Sequence, residues 1–222
     1  MKLTTPPGVF RPRSDTWLLA ETIAGMPPRQ GRVLDLCAGS GALAVSAALA
    51  GAREVTAVDI SWRAVLATRL NARRNGVRVK ALRGDLFAPV RGRRFDLVVS
   101  NPPYLPSSRA RPPHRGPARA WEGGADGRAL LDRICAEAPG HLEPDGSLLV
   151  VQSSVCDPHE TARRLRAAGL VAEPVARRRG PLGPLLAARA ELLAARGLLP
   201  ADGDEELVVV RASRPAGGVV AA

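Results

Sequence analysis

Short apolar runs alternate with longer stretches of helical spacing, and this alternation constrains the fold more than any other feature. In "GRVLDLCAGSGALAVSAALAGA" a strand over residues 33–36 leads through a glycine turn into a helix. Three more strands are predicted in "EVTAVDIS", "VRVKAL" and "RFDLVVS", and the helix "WRAVLATRLNARRNG" is stopped by Gly76. Strands that alternate with helices predict an α/β fold, a doubly wound, mostly parallel sheet with helices on both faces.

The pattern continues to the end of the chain. Helices are predicted over residues 15–25, 128–138 and 158–169, and "PLLAARAELLAARG" predicts another near residues 184–196. A fifth strand is expected in "GSLLVVQS", and two late strands in "LVAEPVA" and "ELVVVRA". Together these elements predict a seven-stranded sheet. We expect one domain over residues 1–222, with residues 1–30 as an N-terminal helix segment and residues 213–222 as a loose tail.

Composition excludes several classes of protein. At 222 residues, with 45% hydrophobic and 24% charged residues, the chain suits one sizeable globular domain. It holds no apolar run of about 18 residues, and its N-terminus lacks the apolar core of a signal peptide. We therefore expect a cytoplasmic location and no membrane contact. The cysteines, Cys37, Cys135 and Cys156, lie far apart, so neither a disulfide scaffold nor a metal site is expected.

The net charge of +11 allows two interpretations. A strongly basic chain is typical of a partner of nucleic acid or of the ribosome. The alternative is a compositional bias, since Ala, Arg, Gly and Pro are frequent throughout. Only three Phe, three Trp and one Tyr are present, which leaves few platforms for stacking single-stranded bases. The charge permits an anionic partner and does not require one.

The glycine loop after the first strand predicts a ligand site. Gly39 and Gly41 allow a tight turn and a close approach of the backbone to a ligand. With Ala44 they also satisfy a relaxed dinucleotide-binding pattern, so a nicotinamide enzyme stays an alternative, as does a turn without a ligand. Asp35, at the end of the strand, would repel a pyrophosphate. A cationic ligand without phosphate, such as S-adenosylmethionine, complements that carboxylate better.

Two further strand ends carry acidic residues. Asp59 ends the second strand, where a carboxylate can accept from both ribose hydroxyls, although it could equally cap the next helix. Asp85 follows the third strand and could accept from an adenine amino group while Leu86 packs on the ring. The alternative for Asp85 is a plain turn residue before Pro89.

The fourth strand ends in Asn101-Pro102-Pro103-Tyr104, and two consecutive prolines there stop any strand pairing. A side-chain oxygen at Asn101 and the main-chain carbonyl of Pro102 can accept the two hydrogens of a planar NH2 group. Proline rings hold both acceptors in place before a substrate arrives, and Tyr104 can cover its flat face. The sequence therefore predicts methyl transfer to an amide or arylamine nitrogen; an ordinary Asn-Pro turn is the alternative.

These segments resemble a known family. "VLDLCAGSGALA", "VDIS", "GDLF" and "SNPPY" in this order resemble class I S-adenosylmethionine-dependent methyltransferases of amino groups. "AWEGGADGRALLDR" resembles the Gly-Gly-x-Asp-Gly segment of the HemK-like protein glutamine methyltransferases, and "VFRPRSDTWLLAETI" resembles the helix before their first strand. The resemblance implies that Thr16 contacts the cofactor. It also implies methylation of the glutamine in the Gly-Gly-Gln loop of translation release factors.

The chain departs from that family in three ways. Only about 30 residues precede the first strand, as in the short, single-domain branch. The resemblance to that branch implies a small zinc-binding activator along the edge strand "VRVKAL", where Lys80 could instead guard against aggregation. Cys37 stands where glycine is usual and could narrow the cofactor loop. The basic segment "PSSRARPPHRGPARA" could dock a ribosomal or RNA surface, or be a solvated loop.

The catalytic residues are predicted to be Asn101, Pro102, Pro103 and Tyr104. The cofactor-binding residues are predicted to be Thr16, Asp35, Cys37, Gly39, Gly41, Asp59, Asp85, Leu86 and Asn101.

Other functions remain open at the level of sequence. An adenine-N6 or guanine-N2 methyltransferase of DNA or RNA uses a similar Asn/Asp-Pro-Pro-aromatic motif, and the basic charge favours it. A small-molecule amine is a further candidate substrate. A nicotinamide oxidoreductase is disfavoured by Asp35, and a non-catalytic binding module would not need Asn101.

Overall fold

All seven strands form one sheet in the order β3-β2-β1-β4-β5-β7-β6. The first five strands run parallel, and β7 enters antiparallel between β5 and β6. The order reverses between β1 and β4, where the chain passes from one half of the sheet to the other. The predicted doubly wound, mostly parallel seven-stranded sheet is thus confirmed, and its switch point lies at the carboxyl ends of β1 and β4.

The computed structural model describes residues 1–26, 31–199 and 203–215. The strands are β1 Arg32–Leu36, β2 Glu54–Asp59, β3 Lys80–Arg83, β4 Phe95–Ser100, β5 Leu142–Ser153, β6 Val171–Pro181 and β7 Asp204–Ser213. The helices are α1 Ser14–Ala24, α2 Ala42–Leu49, α3 Trp62–Arg74, α4 Ala129–His141, α5 Pro158–Ala167, α6 Pro184–Ala187 and α7 Ala190–Ala195.

The core is divided by the sheet into two layers. On one face α1 and α2 pack Leu19 and Leu43 against strand residues such as Val99. On the other face α4 and α5 bury Leu131 and Leu165 against the opposite sides of the same strands. Central strands read as continuous apolar runs because both of their faces are covered. Within the described residues, no helix is long and apolar enough to cross a membrane.

Several predicted boundaries are wrong. The helix predicted near residues 184–196 is two short helices, α6 and α7, because the chain turns between Ala188 and Arg189. The third strand covers Lys80–Arg83 rather than residues 77–82, and the fifth begins at Leu142. Ser213 belongs to β7, whereas residues 216–222 of the predicted tail lie outside the described residues.

Candidate active site

A cavity of about 440 Å³ opens at the switch point of the sheet. Its walls come from the loops after β1, β2, β3 and β4, from the segment before α1 and from the start of α4. Most of the lining is apolar, with Asp59 and Asp85 as its acidic groups. Of the predicted cofactor residues, the cavity is lined by Thr16, Cys37, Gly39, Asp59, Asp85, Leu86 and Asn101.

The glycine loop adopts a left-handed backbone at three alternate positions. Cys37, Gly39 and Gly41 have φ values of 57°, 55° and 78°. Glycine takes such values without strain. This backbone conformation therefore explains why glycine is usual at position 37 in the family that the sequence resembles. Gly41 does not line the cavity, and a Cβ atom there would lie 2.8 Å from the Thr68 side chain. Its glycine serves the packing of α2 against α3, which differs from the predicted contact with a ligand.

Asp35 lies beneath the loop rather than in the cavity wall. Its side chain is fully buried in β1, and Oδ2 accepts a hydrogen bond of 3.0 Å from the backbone N–H of Ala44. Oδ1 has no hydrogen-bond partner among the described residues. Burial, with a smaller contribution from the charge of Asp59, raises the pKa of Asp35 to about 8. A buried carboxylate with a spare oxygen suits a ligand that brings hydrogen-bond donors or positive charge, which fits the ammonium of S-adenosylmethionine.

Asp59 has a defined orientation at the end of β2. Oδ2 accepts from the N–H of Gly39 at 2.9 Å, and Oδ1 accepts from the N–H of Ser61 at 2.8 Å. Burial raises the pKa of Asp59, while these two backbone donors lower it. Ser61 is the N-cap of α3, so Asp59 supports the helix start and also faces the cavity. Each oxygen keeps a lone pair for a ligand hydroxyl.

Asp85 and Leu86 occupy the loop after β3. Both oxygens of Asp85 accept from the guanidinium of Arg133 at 3.1 and 2.9 Å, in an exposed pair. Leu86 has a left-handed backbone with φ of 44° and presents a buried side chain to the cavity. Arg133 therefore competes for the carboxylate that was predicted to accept from a ligand.

The Asn-Pro-Pro-Tyr segment forms the junction between this cavity and a second one. Asn101 donates from Nδ2 to Oγ1 of Thr16 at 3.0 Å, so the amide plane is held from the N-terminal helix. Pro103 faces the first cavity, whereas Pro102 and Tyr104 face the second. Tyr104 donates its hydroxyl to Oδ2 of Asp15 at 2.8 Å, and burial raises the pKa of the phenol well above its usual value.

The second cavity, of about 310 Å³, shares only a narrow boundary with the first. Asn101, Phe10 and Ala120 line both. The remaining wall comes from parts of the chain that are distant in sequence: the start of α1, the 3-10 turn near residue 120, α6 with the residue before it, and β7. A group bound in one cavity can therefore meet a group bound in the other at Asn101.

The Gly-Gly-x-Asp-Gly segment, residues 123–127, lies behind the Asn-Pro-Pro-Tyr segment, which we call the proline corner. A Cβ atom on Gly127 would lie 2.0 Å from the carbonyl oxygen of Tyr104, and one on Gly123 would lie 2.8 Å from that of Pro103. The N–H of Gly123 also donates to the carbonyl of Leu105 at 2.9 Å. These glycines allow the segment to pack directly on the corner and thereby fix its position.

Sequence reasoning missed three residues of the second cavity. Asp15 lies at the start of the helix predicted over residues 15–25 and was given no role, yet it bonds both Thr16 and Tyr104. Glu205 comes from β7, where burial raises its pKa and the N–H of Gly183 donates to it at 3.1 Å. Trp121 presents an indole N–H without a partner among the described residues. No local motif marks these positions, because the fold brings them together from remote segments.

Comparison with known proteins identifies the family. Residues 1–113 match the family described as Methyltransferase small domain. A putative protein N5-glutamine methyltransferase of Methanocaldococcus jannaschii is 34% identical over 186 residues, which cover 84% of this chain and 93% of the relative. The chain therefore belongs to the methyltransferase small domain family and, within it, to the protein N5-glutamine methyltransferases.

Bacterial relatives are longer than the matched region. The release factor glutamine methyltransferase of Bordetella pertussis is 44% identical over 176 residues, covering 74% of this chain and 63% of the relative. The ribosomal protein uL3 glutamine methyltransferase of Bradyrhizobium diazoefficiens is 43% identical over 137 residues, which cover 59% of this chain and 43% of the relative. The chain thus spans from less than half to just under two thirds of these relatives.

Solved structures agree with the fold. Ribosomal protein L11 methylase from Lactobacillus delbrueckii subsp. bulgaricus has a TM-score of 0.59 at 22% identity, covering 92% of this chain and 82% of that one. A chain of the E. cuniculi Mtq2-Trm112 complex has a TM-score of 0.61 at 20% identity, covering 94% of this chain and 99% of that one. The T. thermophilus 16S rRNA N2 G1207 methyltransferase, solved with AdoMet and guanosine, gives 0.60 at 23%, covering 95% and 46%. At these identities the likeness shows the fold alone.

Proposed function

We propose that this methyltransferase uses S-adenosylmethionine to methylate the side-chain amide nitrogen of a glutamine in a translation release factor or a similar protein. One observation carries the proposal: Asn101 stands where the two cavities meet, with its Nδ2 already bonded to Thr16. Its Oδ1 is left to accept from a substrate NH2 group. The names of the relatives, which specify glutamine in release factors and in ribosomal protein uL3, support the same acceptor.

The chain's residues would orient the acceptor rather than deprotonate it. S-adenosylmethionine, when bound, supplies an electrophilic methyl group on a sulfonium. The lone pair of a carboxamide nitrogen is delocalised, so this nitrogen attacks only when it is aligned. Asn101 Oδ1 and the Pro102 carbonyl would accept its two N–H groups. As the N–C bond forms and the S–C bond breaks, positive charge develops on nitrogen, and these carbonyl dipoles stabilise it until a proton leaves.

We propose that the first cavity holds the cofactor. Asp59 would accept from ribose hydroxyls, and Leu86 would pack on the adenine. Asp35 would act from beneath the glycine loop, which it holds through the N–H of Ala44, with its spare oxygen available to the ammonium. Asp85 would reach the adenine amino group while remaining paired with Arg133. The set proposed to bind the cofactor is Thr16, Asp35, Cys37, Gly39, Asp59, Asp85, Leu86 and Asn101.

The substrate assignment is tested with a labelled methyl donor. We expect the protein to label a release factor that carries a Gly-Gly-Gln loop and to leave total RNA and DNA unlabelled. The matched control is Glu21→Gln on the exposed side of α1, away from both cavities, which should label at the rate of the unaltered chain. Label confined to nucleic acid would contradict the glutamine assignment and leave the methyltransferase fold untouched.

A nucleic-acid acceptor is the second candidate, and one observation favours it. Arg111, His114 and Arg119 of the basic segment line the first cavity, so positive charge stands at its mouth. The same residues would equally suit a ribosomal surface that holds a protein substrate. The labelling experiment separates the two, because only a nucleic-acid enzyme would modify purified RNA or DNA.

We also propose a small activator subunit at the β3 edge. Exposed apolar side chains follow one another along α3 beside this edge, at Trp62, Leu66 and Leu70. Arg69 donates to the edge carbonyl of Ala81 at 2.9 Å, which protects the strand in the absence of a partner. A fold neighbour was solved in complex with Trm112. Replacing Leu66 and Leu70 together by Asp should abolish co-purification of a zinc-binding activator; unchanged co-purification would place the partner elsewhere.

The wider setting of the enzyme is inferred from its relatives. We propose that residues 1–222 act as one methyltransferase domain in the cytoplasm, where release factors and ribosomal proteins function. The basic surface is proposed to contact the ribosome or RNA. Fractionation followed by detection of the chain in the ribosomal pellet at low and high salt would test this contact.

A further inference from the structure

A chain of hydrogen bonds connects Asp15 to the amide of Asn101. Thr16 donates to Oδ1 of Asp15 twice, from its backbone N–H at 2.6 Å and from its hydroxyl at 3.2 Å. Asn101 donates from Nδ2 to that same hydroxyl oxygen at 3.0 Å. Asp15 and Thr16 are both buried, with 6% and 5% of their surface exposed, so water does not replace these bonds.

The direction of each hydrogen bond in this series follows from Asp15, the residue at its end. A carboxylate at Asp15 accepts hydrogen bonds and cannot donate them. In the structure the Thr16 hydroxyl donates its proton to Asp15, which leaves its oxygen as an acceptor. Only the NH2 end of the Asn101 amide can satisfy that acceptor. The oxygen end then points away from Thr16, and it has no hydrogen-bond partner among the residues that the structure describes.

This fixed direction matters because an asparagine amide is nearly symmetrical in shape. Rotation by 180° about its last bond exchanges Oδ1 and Nδ2 with little change in packing, so the hydrogen-bond network decides which end faces which neighbour. When the amide oxygen points toward the second cavity, which we call the acceptor cavity, the site accepts hydrogen bonds from an NH2 group. With nitrogen there the site would donate to a carboxylate instead.

We propose that Asp15 is a positioning residue that fixes the orientation of the Asn101 amide through Thr16, and that this orientation makes the site select a carboxamide over a carboxylate. The inference rests on the proposed function, because it concerns the same acceptor group. It assigns the distinction between glutamine and glutamate to a residue that does not itself touch the reacting nitrogen.

A second explanation for the same selectivity is charge, and the structure allows the two to be separated. Asp15 and Glu205 both line the acceptor cavity and would repel a glutamate side chain. Asp15→Asn removes a charge but keeps an oxygen toward Thr16, because the backbone N–H at 2.6 Å requires an acceptor there. Thr16→Val keeps the charge and removes the hydroxyl that transmits the direction. Thr16→Ser keeps both the charge of Asp15 and a hydroxyl at position 16.

The experiment measures a ratio of affinities. A release factor domain with Gly-Gly-Gln and its Gly-Gly-Glu variant are titrated by calorimetry into protein saturated with S-adenosylhomocysteine. We expect the unaltered chain to prefer the glutamine form, and Thr16→Val to lose about tenfold of that preference, the equivalent of one hydrogen bond. Thr16→Ser should keep the preference, and Asp15→Asn should keep it to within about threefold. Thr16→Ala serves as a second test of the lost hydroxyl if the valine variant melts early.

The ratio is insensitive to a loss of folded protein, since that would weaken both titrations equally. A preference that survives in both Thr16→Val and Thr16→Ala would overturn the positioning role of Asp15. So would a loss confined to Asp15→Asn, because charge alone would then explain the selectivity. An unaltered chain that neither methylates the glutamine form nor prefers it would overturn the proposed function and, with it, this inference.

Discussion

The two cavities that meet at Asn101 differ in how the chain builds them. The first is made from four loops that follow β1, β2, β3 and β4, and parallel strands necessarily bring those loops to one edge of the sheet. The second takes its wall from α1, α6 and β7, which lie up to about 190 residues apart. A local motif therefore describes the first cavity, and only the complete fold describes the second.

The largest effect is expected where the two cavities meet. Asn101→Ala removes the proposed acceptor for the substrate NH2 group, so the rate of methyl transfer should fall by about 10²–10³-fold. The affinity for S-adenosylhomocysteine, measured by calorimetry, should change much less, because most of the first cavity is untouched. A variant that loses cofactor affinity and keeps its turnover would show that residue 101 serves the first cavity alone.

The next effect concerns the support behind the corner. Gly127→Ala would place a Cβ atom 2.0 Å from the Tyr104 carbonyl oxygen at a φ of 79°. We expect a loss of about 3–4 kcal/mol in the free energy of unfolding, measured with urea. The matched control is Gly197→Ala, which has a φ of 64° and open space around the new atom. It should cost only about 1 kcal/mol. Equal costs would show that backbone strain, rather than contact with the corner, explains the glycine.

A pH-dependent effect is expected from Asp35, which is buried beneath the glycine loop of the first cavity. The pKa of Asp35 is about 8 in the folded chain against its ordinary value of 3.8, so the native state binds more protons than the unfolded state between those values. Stability conferred by the neutral form is complete below about pH 4 and is lost as pH rises to about 8. Asp35→Asn should thus gain stability relative to the unaltered chain across that window, measured by urea unfolding. A difference that is independent of pH would contradict the buried, neutral carboxyl group.

The smallest effect is expected at the mouth of the first cavity. Arg133→Gln removes an exposed partner of Asp85, and exposed ion pairs contribute less than about 1 kcal/mol. The dissociation constant for S-adenosylhomocysteine should change by less than about fivefold, because freeing Asp85 for the ligand offsets the lost contact. The change should shrink further at high salt. A larger effect would mean that Arg133 itself holds the ligand.

The sequence predicted the first cavity better than the second for a physical reason. The ends of β1, β2 and β4 are marked by Asp35, Asp59 and Asn101, and the register of a parallel sheet brings such ends together. Gly41 was predicted to bind the ligand from its spacing in the glycine loop. That spacing does not reveal that Thr68 packs against it. Packing between helices that are distant in sequence leaves no periodic signal.

Asp15 and Glu205 show the same limit in the second cavity. Asp15 stands in the first turn of α1, where acidic residues are common, so its sequence context indicated no role in a site. Glu205 stands between two other acidic residues at the start of β7, and it lines the cavity because β7 enters the sheet next to β5. The prediction of one helix near residues 184–196 was wrong for a related reason, since the chain turns after α6, and only α6 lines this cavity.

The position of β7 has a consequence for the order in which the enzyme matures during synthesis. Strand Asp204–Ser213 is the last of the sheet to leave the ribosome, yet it occupies an interior place between β5 and β6. A nascent chain that has not reached Leu207 already contains the four loops of the first cavity, but it lacks one wall of the second. The proposed acceptor site is therefore complete only after β7 has been synthesised and has paired with β5.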